Sequence, residues 1–221
     1  MIVEELSLNE LPDTSIPKGT TLKLIFKAIQ DTTPFFISGI SKIKKKLNEE
    51  ELTQEFVAHL RRNSGEFPFC VGQEKKDIYK LAKGKPDIYF YSKEVYDTTE
   101  SIFDLEAKRL PPPKDKRREK EYVVGEGVKA TGGLQRFKRE LHGKGLTNCG
   151  MLAFIEQQNP LFWKSQINKW ISDLCQTDNE WSLDELLDEI LQKDKFTYLV
   201  SNLKKVSNQN SNMHHFWIDI K

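Results

Sequence analysis

Apolar residues in this chain follow two spacings, and each change of spacing marks an element. Asn48 followed by Glu49-Glu50-Glu51 has the make-up of a capped helix start, because an Asn side chain accepts orphan amide hydrogens and acids complement the dipole's positive end. Leu52, Phe56, Val57 and Leu60 then form one stripe, predicting a helix to about Arg62 that Asn63-Ser64-Gly65 ends. Ile88 to Tyr91 is aromatic and β-branched, and Ser101 to Lys108 alternates after the polar turn Asp97-Thr98-Thr99-Glu100. Both predict strands. In the second, Phe103, Leu105 and Ala107 share a core face, while Ile102, Asp104, Glu106 and Lys108 share the opposite one.

Further along, Thr131 to Leu141 predicts a helix with Leu134, Phe137 and Leu141 inward. Cys149 to Glu156 is too continuously apolar for an exposed edge and predicts a buried strand. Pro160 opens a helix to about Cys175 with Leu161, Trp163, Ile167, Trp170, Ile171 and Leu174 at helical spacing, a stripe that suits core better than base stacking. Leu183, Leu186, Leu187, Ile190 and Leu191 predict another helix over Asp184 to Lys193. Phe196–Val200 and His214–Ile220 predict the last two strands, separated by a polar hairpin loop, Ser207 to Asn212, with His214-His215 as structural histidines at a strand start. Thr21 to Gln30 is short and apolar, and its periodicity does not separate helix from strand. Residues 1–20, with Pro12 and Pro17, read as an arm.

Composition changes this picture little. A length of 221 residues fits one domain, 1–221, with a core from about 48 to 220. Charged residues make up 30%, no apolar run approaches the ~18 residues of a membrane span, and the N-terminal residues lack a signal-peptide pattern, so a cytoplasmic protein is expected. Cys70, Cys149 and Cys175 lack C-x-x-C spacing and read as reduced thiols, and the four histidines form no zinc motif. The net charge of +1 is low for a nucleic-acid binder, but its distribution is uneven. Lys108, Arg109, Lys114, Lys116, Arg117, Arg118 and Lys120 crowd one stretch, and Lys42, Lys44, Lys45 and Lys46 form a second cluster. The first leaves the strand through Pro111-Pro112-Pro113, a stiff, ladder-incompetent loop able to track a phosphate backbone.

Candidate chemistry centres on Asp87, Glu106 and Lys108. Glu106 and Lys108 lie on one strand face, roughly 6.5–7 Å apart at Cα. Asp87, entering the neighbouring strand, completes a cluster of two carboxylates and an ammonium. Two Asp/Glu ligands with water and phosphate oxygens are the usual surroundings of Mg²⁺ (or Mn²⁺).

Pro86-Asp87 and Glu106-x-Lys108 resemble the motif of the PD-(D/E)xK nuclease superfamily. Tyr122, Gly125-Glu126-Gly127, Gln135-Arg136-Phe137, Gly150-Met151-Leu152-Ala153-Phe154 and the closing His215-Phe216-Trp217-Ile218-Asp219 are similar to the succession in restriction-endonuclease-like proteins, so the resemblance covers about residues 48 to 220. One stretch departs from it: Asn202 and Lys204 stand where that group often has His and Arg. The resemblance implies an α/β fold, a restriction-endonuclease-like central mixed β-sheet flanked by helices. It also implies a Mg²⁺-dependent endonuclease acting on DNA, as a restriction or anti-phage defence effector, a homodimer or a subunit of a defence complex. Asp87 and Glu106 would hold the metal, and Lys108 would position water and offset negative charge. The helix before the hairpin often adds a glutamate to this site, and Glu51 and Glu55 are the candidates, ahead of Glu49. On the helix after the motif, Gln135 and Arg136 are candidates for substrate contact, Arg136 as the better phosphate clamp, with Lys114, Lys116, Arg117 and Arg118 on the basic loop. Two alternatives stay open: a nucleic-acid-binding or assembly subunit whose nuclease site is vestigial or partner-activated, and a nuclease acting on RNA.

Overall fold

A computed structural model describes residues 20–93, 97–112, 118–126 and 131–221 of the chain. The first 19 residues, which include nearly all of the expected arm, lie outside the described residues. The run that periodicity leaves open is helical: α1 spans Thr20–Ile40 and buries Leu22, Ile25, Phe26, Ile29 and Phe36 on one stripe. This corrects the expected core boundary near residue 48, because α1 packs into the same core as the sheet. Next, α2 (Glu49–Asn63) starts at a reciprocal capping box, in which Asn48 Oδ1 accepts from the Glu51 amide and Glu51 Oε2 from the Asn48 amide, both at 2.9 Å. Its buried stripe is the one its spacing predicts.

Seven strands follow among the described residues: β1 (Phe69–Gln73), β2 (Ile88–Ser92), β3 (Phe103–Leu110), β4 (Asn148–Ile155), β5 (Asp188–Lys193), β6 (Phe196–Lys204) and β7 (Asn210–Asp219). They form one mixed sheet in the order β1-β2-β3-β4-β7-β6-β5. The first three form an antiparallel meander, β4 runs parallel to both β3 and β7, and β7-β6-β5 is antiparallel again. Strand β4, buried along its whole length, is the sheet's centre, as its continuous apolar character predicts.

Helices cover both faces. On one, α1 and α2 pack against Phe103, Leu105, Ala107, Leu152, Phe154 and Phe216. On the other, α3 (Gly133–Lys138) and α4 (Pro160–Cys175) pack against Leu110, Met151, Ala153, Ile155 and Trp217. The alternation expected along β3 is therefore present. His214 and His215 lie within β7, fully buried, and not at its start. His214 meets the Tyr198 hydroxyl and Asn148 Oδ1; His215 meets the Tyr122 and Ser201 hydroxyls, at 2.7–3.0 Å throughout.

Other expectations fail. Residues 184–193 are not a helix but a single 3₁₀ turn, Leu183–Glu185, followed by the edge strand β5. Pairing with β6 through a turn at Asp194 (φ 51°) overrides the helical spacing, and Leu183 and Ile190 face solvent. Strand β1 carries no sequence expectation. The helix α3 is shorter than the predicted span, and Leu161, expected inward, is exposed. No helix among the described residues is long and apolar enough to cross a membrane.

Candidate active site

The site arises where β3 runs past the first residue of β2. The antiparallel register pairs Ile88 with Leu105 and continues to place Asp87 opposite Glu106. Beyond that point no described residue gives β3 a main-chain partner on this side, and two carboxylates supply the missing acceptors. Asp87 Oδ2 accepts from the Ala107 amide at 2.7 Å, and Glu49 Oε2 accepts from the Arg109 amide at 3.1 Å. The acids are thus fixed by strand backbone, which positions groups more tightly than a loop does.

Glu106 is fully buried between cations. Its Oε1 accepts from Lys108 Nζ at 2.8 Å and from Arg136 Nη1 at 2.6 Å. Its Oε2 lies 3.1 Å from Nδ1 of buried His142, without the alignment of a hydrogen bond, so neither atom has a directed partner. Lys108 Nζ also donates to Ala107 O at 2.7 Å and reaches Glu49 Oε1 at 3.3 Å. Burial alone would push the Glu106 carboxyl up, but Lys108, His142 and Arg136 outweigh it and hold it at about 2. Burial would likewise lower Lys108, yet Glu106, Glu49 and Asp87 raise it above its ordinary range. Asp87 goes the other way. Burial, then the Glu106 charge, pushes it up to about 7, and Lys108 and the Ala107 amide offset only part of this.

Asp87, Glu106 and Lys108 therefore come together. Of the helix acids, Glu49 reaches the site and the favoured candidates do not: Glu51 is engaged by Asn48 and Lys45, and Glu55 makes none of these contacts. The reason is geometric, since only the first residue after the cap faces the end of β3. Arg136 enters the site through Glu106, whereas Gln135 turns back, its Oε1 accepting from the Gly125 amide at 3.2 Å. On the basic loop, Arg118 pairs with Glu121 at 2.7 Å, while Lys114, Lys116 and Arg117 lie outside the described residues. His142 carries no sequence expectation, and its only cue is the His-Gly step, where Gly143 (φ 59°) donates its amide to buried Asp104 at 3.0 Å.

Among the described residues, no three His, Cys, Asp or Glu side chains form a ready-made metal cage. The residues able to share a hard cation are Asp87, which uses Oδ2 for the Ala107 amide and leaves Oδ1 without a hydrogen bond among the described residues, and Glu106, whose buried Oε2 makes no directed hydrogen bond among them. Two carboxylates leave the other positions to water and substrate oxygens, which is how Mg²⁺ is usually held. No family model, no curated protein and no solved structure matches the chain.

Proposed function

We propose that this chain is a Mg²⁺-dependent phosphodiesterase of the PD-(D/E)xK type, hydrolysing DNA backbone bonds. One observation carries the reading: Asp87, Glu106 and Lys108 converge at the open margin of β3, where the second buried oxygen of Glu106 faces only His142 Nδ1, at 3.1 Å and without a directed hydrogen bond among the described residues. The succession of helix, three-strand meander, helix and parallel strand supports the restriction-endonuclease-like fold as the finer description of this sheet. Mg²⁺, when bound, would polarise the phosphoryl oxygen and stabilise the leaving oxygen.

The chain's own groups do the rest. Asp87 and Glu106 present carboxylate oxygens to the cation. Lys108, held protonated by Glu106 and Glu49, stabilises negative charge at the phosphate and orients water by exchanging its long 3.3 Å contact with Glu49 for a hydrogen bond to that water. Arg136, part-exposed at its guanidinium, can exchange Glu106 for a phosphate oxygen. Purified protein is incubated with plasmid, linear duplex, single-stranded DNA and RNA in Mg²⁺, Mn²⁺ or EDTA. Cleavage should need the divalent ion and vanish in Asp87→Asn, Glu106→Gln and Lys108→Met. Undiminished cleavage in any of the three removes that residue from the site, and cleavage in EDTA overturns the metal requirement.

A second reading also has an observation behind it. Lys108 and Arg136 already neutralise Glu106 Oε1, so the chain could be an assembly subunit whose site a partner opens. Failure of the isolated chain to cut any of these substrates, with nucleic-acid binding retained, would favour it.

A further inference from the structure

The connection between β1 and β2, residues 74–87, ends on Asp87 and is built unlike an ordinary solvated loop. Ile78 and Leu81 are 64% and 73% exposed, Tyr79 is exposed beside them, and Lys76, Lys83 and Lys85 are exposed around them. Leu81 also has φ 56°, a left-handed conformation that costs a side-chain-bearing residue about 1 kcal/mol or more. An apolar side chain held outward at that cost gains nothing from packing in the free protein.

The loop is nevertheless pinned. Asp77 Oδ1 accepts from the amides of Tyr79 and Lys80 at 2.9 Å, Lys80 pairs with Glu100 at 3.0 Å, and Ala82 is buried. The Gly84 amide donates to Leu141 O at 2.8 Å, and a Cβ on Gly84 would lie 2.3 Å from His142 Cδ2. The loop thus leans on the residue that touches Glu106.

An aromatic row extends from this crest. The Tyr79 hydroxyl is held by the Thr99 amide at 3.1 Å, and Lys75 Nζ lies 5.4 Å from the ring centroids of both Tyr79 and Tyr89. Tyr89 stacks with Tyr91, centroids 5.7 Å apart. Tyr89 pairs in register with Asp104, so the row lies on the sheet face that carries Glu106 and Lys108.

We propose that this surface receives the unpaired bases of a single-stranded nucleic acid whose backbone continues to Asp87 and Glu106. The inference rests on the nuclease reading for its link to the site. Bases have π-faces that stack on Tyr79 and its neighbours whatever their sequence, Ile78 and Leu81 cover base surface, and the exposed lysines meet phosphates. A duplex, with its bases stacked inside, offers the apolar crest nothing.

The test is fluorescence anisotropy in EDTA, which separates binding from cleavage, with one labelled mixed-sequence strand used alone and as a duplex. Wild type should prefer the single strand, and Tyr79→Ala should weaken that binding by about 10-fold while leaving duplex binding unchanged. Leu81→Gly should also weaken it while melting no lower than wild type, since glycine relieves the left-handed strain. Changing Lys76, Lys83 and Lys85 together to Gln should flatten the salt slope by about 2. Equal affinity for strand and duplex overturns the proposal, as does unaltered binding by Tyr79→Ala and Leu81→Gly, or binding to phosphatidylserine vesicles with none to the strand. Because the binding assay contains no metal, its outcome is independent of cleavage, and a wild type that binds the strand yet fails to cut it in Mg²⁺ would count against the nuclease reading alone.

Discussion

Asp87→Asn probes the electrostatics of the site directly. The Asp87 carboxyl sits at about 7 in the folded chain against an ordinary 3.8, driven by burial and then by Glu106. A folded value above the unfolded one means that the native state holds this proton more tightly. The native state therefore loses stability as pH rises from 3.8, and the loss is complete above about 7. At ~1.36 kcal/mol per pH unit the whole interval is worth roughly 4 kcal/mol, and the part above about pH 5 roughly 3 kcal/mol. The side chain is only half-buried, so solvent screening should trim that part to about 1–2 kcal/mol. Asparagine removes the charge, and its amide oxygen can still accept from the Ala107 amide. Over the same range Glu106, held at about 2, does not titrate in the native state. Urea unfolding in EDTA should thus show an advantage for Asp87→Asn that grows by about 1–2 kcal/mol between about pH 5 and 8. Mg²⁺ at about pH 8 should then stabilise wild type more than the variant. An advantage that does not change with pH, or a variant less stable at the alkaline end, would show that the folded chain does not hold a proton on Asp87 in this range.

Three further outcomes follow from the same geometry. His214 and His215 are both pushed down to about 3 by burial, so their contribution is fully present above 6.5 and is lost as pH falls toward 3. In the Asp87→Asn background, stability should drop by about 2 kcal/mol between about pH 6 and 5, and a flat urea-unfolding profile there would contradict their burial as neutral rings. Glu49→Gln should slow single-turnover cleavage by about 10–100-fold because it holds Lys108 and the Arg109 amide, while Glu51→Gln should leave the rate unchanged. Lys138, buried against Glu185 at 2.5 Å and donating to the carbonyls of Glu180 and Lys204, lies outside the site. Lys138→Met should cost about 3–5 kcal/mol in denaturant melts by leaving a buried carboxylate unpaired, without loss of divalent-ion binding.

The parts of the molecule that the chain's pattern reveals are those where local and global demands coincide. Asn48 caps a helix whose stripe is also its buried face, and β3 alternates because one face meets α2 and the other the site. The continuous apolar run of β4 reveals a strand with neighbours on both sides. The pattern fails where a distant partner decides. Strand β5 exists because β6 needs an edge, and nothing within residues 188–193 records that need. The site divides the same way. Asp87, Glu106 and Lys108 carry a spacing that can be read, but choosing Glu49 over Glu51 and Glu55 requires knowing where the helix's first turn lands relative to β3. His142 is brought in by a turn after α3, and no periodicity signals a turn's direction.

The late start of β2 has a consequence for how this protein is altered. Two amide donors of β3 are satisfied by carboxylates and not by a neighbouring strand, so the acids that equip the site also finish its scaffold. Truncating either of them to alanine would bare an amide that no backbone replaces, and lost activity would then mix missing chemistry with a frayed sheet margin. Isosteric amides keep an oxygen in place, which makes asparagine and glutamine the replacements that report on charge alone.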